Sequence, residues 1–155
     1  MTVEAPAGPF TLRASADRID MREDGSLVIY DYKSGALPSA ADVKAFKAPQ
    51  LPLQALVAQH GALKGVKSGT VAALVHISAK GGEPAGEESR VGAEDAQALA
   101  GSARDGLAAL LGKFDDAATP YKAMRRGGFA SGYRHDAYAH LARVEAWSGN
   151  GDEGQ

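Results

Sequence analysis

The chain has 155 residues, 45% of them hydrophobic and 23% charged, with 17 Lys and Arg against 19 Asp and Glu and a formal net charge of -2. That length suits one core-bearing domain of ordinary globular composition, and the balance lacks the basic excess that nucleic-acid binders usually carry. The absence of cysteine excludes disulfides, thiolate zinc, iron-sulfur clusters and a thiol nucleophile, and with no run near the roughly 18 apolar residues of a membrane span and no signal pattern, a cytoplasmic protein is expected.

Phe10 to Arg22 and Ser26 to Lys33, separated by Glu23, Asp24 and Gly25, are predicted to form a β-hairpin. A three-residue loop ending in glycine suits a type I turn closed by a left-handed residue. Counting outward from Arg22 opposite Ser26 puts Met21 opposite Leu27, Ile19 opposite Ile29 and Asp17 opposite Asp31. Side chains alternate with period two, so Asp17, Ile19, Met21, Leu27, Ile29, Asp31 and Lys33 are expected to share one face.

Ser34 to Pro38 breaks the strand, and Ser39 is placed to cap a short helix running to about Phe46. Gln50 to Leu63 has apolar residues at helical spacing, with Pro52 tolerated in a first turn. Gly69 to Ala79 reads as a buried strand, Glu87 to Val91 as a short edge strand, and Glu94 to Phe114 as a long Ala- and Leu-rich helix. Beyond Pro120 an irregular stretch holds Arg125 and Arg126, and Leu141, Val144 and Trp147 mark one face of a helix over Tyr138 to Trp147. No internal repeat is found. Strands interleaved with helices make the expected class α/β, a mixed central sheet flanked by helices.

Opposed carboxylates on neighbouring strands, with Cβ atoms roughly 4.5 to 5.5 Å apart, are costly on an apolar face unless a positive group lies between them. Mg²⁺ answers that need, since it takes oxygen ligands and is usually held by one or two carboxylates with water and substrate phosphate. Asp17 and Asp31 form the candidate pair, with the Tyr32 carbonyl as a further ligand. Lys33, on the same face, can reach the same phosphate. The plainer alternative is a cross-strand ion pair of Lys33 with an acid.

The stretches Ser15-Ala16-Asp17-Arg18-Ile19-Asp20, Val28-Ile29-Tyr30-Asp31-Tyr32-Lys33-Ser34-Gly35 and Gln50-Leu51-Pro52-Leu53-Gln54-Ala55-Leu56 together resemble the RecB-like branch of the PD-(D/E)xK nucleases. Within that branch the chain is most similar to the C-terminal nuclease domain of AddB proteins, helicase-nuclease subunits that process DNA double-strand breaks, and Tyr138 to Trp147 resembles the end of cysteine-free members. The resemblance implies a restriction-endonuclease-like core, Asp17 and Asp31 as metal ligands, Lys33 as the catalytic lysine, and Gln50 as the start of a Gln-x-x-x-Tyr motif beside the active site. It further implies Mg²⁺, replaceable by Mn²⁺, DNA as substrate, exonuclease-type cleavage and an AddA-like helicase-nuclease partner.

The chain departs from the family at three places. The glycine expected before the first acid is not at Ala14 or Ser15, Gln54 stands where the motif has tyrosine, and the upstream helix that carries a further His or Glu metal ligand in the family is expected to lie outside this chain. The chain is therefore expected to be the C-terminal fragment of a longer protein, one domain over 1–148 with a disordered tail over 149–155. Without cysteine, the iron-sulfur cluster of many AddB relatives has no ligands here.

Other polar residues are weighed against these. Asp20 and Arg18 fall on the reverse face of the hairpin, where Asp20 joins the metal only through a bulge and Arg18 is an ion-pair partner. His76 reads as a structural strand histidine, and His135, Asp136 and His140 as a capped helix start. Lys44, Lys47, Arg125 and Arg126 are candidates for phosphate contacts. Two functional alternatives stand beside the nuclease: a catalytically inert nuclease-like module that binds DNA or assembles a repair complex, and an unrelated α/β domain.

Overall fold

The structure is a computed structural model that describes residues 1–81, 83 and 85–121. Residues Met1–Thr119 form one compact unit. The expected helix at Tyr138 to Trp147, the groups Arg125, Arg126, His135, Asp136 and His140, and the tail lie outside the described residues.

In chain order the elements are β1 (Thr2–Val3), β2 (Phe10–Thr11), β3 (Arg18–Met21), β4 (Leu27–Lys33), α1 (Ala40–Lys44), α2 (Gln50–Gln59), β5 (Val71–Ser78), β6 (Glu88–Gly92) and α3 (Ala93–Asp115). β1 and β2 pair as a small antiparallel ribbon, and the remaining strands form one sheet in the order β3-β4-β5-β6. β4 and β5 run parallel, joined by α1 and α2, while β3 and β6 are antiparallel to their neighbours. The class is α/β, with a mixed sheet flanked by helices, as expected.

The hairpin takes the predicted register: Ile19 faces Ile29 and Met21 faces Leu27. Its loop closes through Arg22 N–H on the Ser26 carbonyl at 2.8 Å and Gly25 N–H on the Arg22 carbonyl at 3.0 Å. Gly25 sits at φ 79°, where a side chain would strain the backbone. Asp24 accepts the Ser26 amide at 2.8 Å, which holds its carboxyl below the ordinary carboxylate range, with the Ser26 side chain the larger cause.

The first arm of the hairpin is shorter than predicted. Phe10 and Thr11 belong to the separate ribbon with β1, and pairing with β4 begins only at Arg18. The intervening residues alternate, with Leu12, Ala14 and Ala16 packed against the core and Arg13, Ser15 and Asp17 exposed, but they make no ladder with β4. Met21, expected on the apolar face, is 50% exposed, because it lies on the edge strand next to the hairpin turn.

β5 is the central apolar strand predicted, with Val71 to His76 all buried. One face of the sheet packs Leu27, Ile29, Val71, Leu74 and Val91 against Val43 of α1, Leu51, Ala55 and Leu56 of α2, and Ala96, Leu99 and Ala100 of α3. The other gathers Val28, Ala73 and Val75, with Tyr30 and Ile77 at its margin. Burying β4 and β5 on both faces is what a parallel pair requires. Ala72 is an extra residue: Leu27 pairs with Val71, but Val28 pairs with Ala73. This bulge shifts every later pairing by one residue, which proves important at the site.

The helices follow their sequence signals. Ser39 and Asp42 form a reciprocal capping box on α1, and the Ser39 bonds hold the Asp42 carboxyl below its ordinary value. The predicted run to Phe46 stops at Lys44; Lys47 N–H reaches back to the Asp42 carbonyl and Phe46 N–H to that of Val43, a Schellman closure with Phe46 in the left-handed position. α2 is buried on nearly all sides, so its stability comes from packing, and it ends at Gln59 rather than Leu63. In α3 the buried residues Ala96, Leu99, Ala100 and Ala103 form one stripe at helical spacing.

Candidate active site

The site is assembled where β4 leaves the core. Leu27 and Ile29 are fully buried, and two residues further on the same face Asp31 is still only 2% exposed. Burying a carboxylate is unfavourable without compensation, and its surroundings supply part of it. Asp31 Oδ1 accepts a hydrogen bond from Gln50 Nε2 at 2.7 Å. Lys33 Nζ stands 2.8 Å from Asp31 Oδ2 and donates to Gln50 Oε1 at 3.0 Å. Asp31, Lys33 and Gln50 thus close a polar ring, with Gln50 presented by the first turn of α2.

Asp17 lies just outside β3, in the loop leading into it, and is exposed. The β3–β4 pairing stops at Arg18, one residue short of Asp17, whose Oδ2 accepts the Tyr32 amide at 3.0 Å. That loop is tied down from behind. Gln54, 4% exposed, donates from Nε2 to the Ser15 carbonyl at 2.6 Å. A glutamine in place of the motif's tyrosine therefore fixes the backbone two residues before Asp17.

Tyr32 turns its ring to the reverse face, 42% exposed. There Arg18 Nε and Nη2 grip Asp20 at 2.8 and 2.6 Å, and the guanidinium lies 4.8 Å from the centre of the Tyr30 ring. The Arg18 hydrogen bonds hold the Asp20 carboxyl below its ordinary value and raise the guanidinium pKa. Asp20 and Arg18 are a pair on the far side, as the parity of the hairpin predicts. Lys44 and Lys47, candidates for phosphate, meet Asp95 at 2.7 Å and Asp42 at 3.7 Å, so part of their charge is already matched.

His76 is the residue that sequence reasoning set aside and the fold brings in. It is 1% exposed, pairs with Asp31 across the parallel strands, and places Nε2 3.9 Å from Asp31 Oδ2. Burial lowers its pKa, Asp31 opposes the shift and Lys33 adds to it, which favours a neutral imidazole. Nothing in the local sequence indicates this neighbour, because without the extra Ala72 the residue beside Asp31 would be Val75.

The residue set has the chemistry of a hard-cation site. Asp31 Oδ2 is a buried oxygen that accepts no hydrogen bond; Lys33 is near it as a charge, without hydrogen-bond geometry. Among the described residues no three His, Asp or Glu side chains gather into a ready-made cage. Two carboxylates completed by water and phosphate are a usual arrangement for Mg²⁺. Among the described residues, no helix is long and apolar enough to cross a membrane.

Neither the curated proteins nor the solved structures give a match to the chain. The model of the PD-(D/E)XK nuclease superfamily, whose members are in general nucleases using Mg²⁺ or a similar divalent cation, matches residues 1–128. With that match over most of its length, the chain belongs to the PD-(D/E)XK nuclease superfamily and carries a nuclease-like domain.

Proposed function

We propose that the chain is a Mg²⁺-dependent deoxyribonuclease domain of the RecB-like branch, similar to the C-terminal nuclease domain of AddB, acting on DNA in cytoplasmic double-strand break repair beside an AddA-like helicase-nuclease partner. The domain extends over 1–148, and cleavage is of the exonuclease type. The observation that carries this proposal is the ring of Asp31, Lys33 and Gln50, and the bond from the Tyr32 amide to Asp17 supports including that acid.

Each residue has a distinct role. Asp17 and Asp31 hold the cation, with the Tyr32 carbonyl as a further ligand. When bound, the cation supplies Lewis-acid polarisation of the phosphoryl group and a more acidic water. Lys33 turns its ammonium from Asp31 to the phosphate, where it neutralises charge that develops as the phosphodiester bond breaks. Gln50, freed from Lys33, keeps Asp31 oriented through its amide N–H.

The test is cleavage of linear DNA by Asp31→Ala and Lys33→Ala variants in Mg²⁺ and in Mn²⁺, with circular dichroism to verify folding. Both variants are expected to be folded and inactive. Parental cleavage by either one removes that residue from the chemistry, and parental cleavage by both refutes the proposed site. A parent that binds DNA but does not cut it would point instead to the inert binding module.

A further inference from the structure

We infer that His76 is a positioning residue for the Asp31 carboxylate, holding it from the β5 side while the cation and Lys33 act on the other. This inference rests on the metal site proposed above and adds to it a residue outside the matched motifs.

The geometry that points to it begins with the bulge. β-Bulges near functional sites re-aim side chains, and the extra Ala72 moves His76 into register with Asp31. In an otherwise apolar run the imidazole is 1% exposed, and it stands 3.9 Å from an oxygen that accepts no hydrogen bond. Gln50 already holds the other oxygen.

The nuclease chemistry leaves a gap that His76 can fill. Lys33 cannot serve a phosphate and neutralise Asp31 at the same time. Once it turns away, Asp31 Oδ2 keeps His76 as its polar neighbour on the β5 side. A closure of about 1 Å brings Nε2–H to hydrogen-bond distance. Groups that bond to a metal's carboxylate ligand orient it and raise its affinity for the metal, and their loss commonly weakens binding 10- to 100-fold.

The experiment is calorimetric titration of the 155-residue chain with Mn²⁺ alone, without DNA, on the parent and on His76→Phe, His76→Leu, His76→Gln and Asp31→Asn. His76→Phe fills the space without a donor and is expected to bind Mn²⁺ about 10- to 100-fold more weakly. His76→Gln, whose amide can stand where Nε2–H stood, is expected to recover most of that loss. Melting without metal is expected to stay near the parent's. If His76→Phe does not fold, the contrast between His76→Leu and His76→Gln carries the same comparison.

Parental Mn²⁺ affinity in His76→Phe or His76→Leu, with binding abolished in Asp31→Asn, overturns the role of His76 and leaves the metal site standing. Equal loss in His76→Gln and Asp31→Asn also overturns it, since the imidazole would then be a ligand. No binding by the parent, or parental binding by Asp31→Asn, removes the metal site and this inference together.

Discussion

One hairpin carries two pairs of opposite charge, Arg18–Asp20 on one face and Lys33–Asp31 on the other. By contact geometry the first is the stronger, with two short hydrogen bonds and a ring beneath the guanidinium. Yet its side chains are 51% and 38% exposed, against 32% and 3% for Lys33 and Asp31. Water already satisfies the exposed pair, and such pairs contribute little. The buried pair leaves Asp31 Oδ2 without a hydrogen bond, an arrangement maintained at a cost. Burial with incomplete compensation therefore distinguishes a chemical site from a surface ion pair.

The largest effects should come from separating activity from stability in the buried pair. Lys33→Met is expected to abolish cleavage and, by leaving Asp31 without a cation, to lower stability by about 1–3 kcal/mol in metal-free buffer. Millimolar Mn²⁺ is expected to restore part of that loss, because a ligand that binds only the folded state stabilises it. Asp31→Asn is expected to abolish cleavage with no fall in stability, since it removes a buried charge while keeping an oxygen for Gln50. Thermal melts with and without Mn²⁺ measure both. A stability loss in Asp31→Asn larger than in Lys33→Met would mean that the pair is a structural bridge.

A smaller effect is expected from Gln54, which acts on the site through the Ser15 carbonyl. Gln54→Leu removes that bond but also relieves a buried oxygen that has no partner. The net stability change is expected to be within about 1–2 kcal/mol, whereas Mn²⁺ affinity should fall as Asp17 loses its fixed backbone. Denaturant titration paired with Mn²⁺ titration separates the two, and unchanged affinity would show that the Tyr32 amide alone holds Asp17.

What could be read in the sequence follows from how local each determinant is. The hairpin register was legible because Glu23, Asp24 and Gly25 fix it within a few residues, from Met21 opposite Leu27 out to Arg18 opposite Tyr30. The capping box of Ser39 and Asp42 and the stripe of α3 are equally local. The end of α1 at Lys44 was not legible, since Phe46 adopts a left-handed conformation that its side chain disfavours and packing against the core maintains. His76 was hidden for a different reason. Its position depends on a parallel pairing across 45 residues, between Asp31 and His76, and on a one-residue bulge at Ala72 for which the local sequence carries no mark.

The exposed pair supplies the smallest effect and the control for the comparison. Arg18 holds the Asp20 carboxyl below its ordinary value of 3.8, so the unfolded chain binds a proton there more readily than the folded one. The stabilisation is therefore present above about pH 3.8 and disappears as the pH falls through the lower folded value. Because both groups lie in solvent, Asp20→Asn should melt within experimental error of the parent at pH 7, and salt should erase any difference. Below about pH 3.8 its acid decline should be slightly shallower than the parent's. Arg18→Ala should cut DNA at the parental rate. Loss of cleavage in Arg18→Ala would mean that the reverse face of the hairpin contributes to the chemistry, and exposure would no longer separate the two pairs.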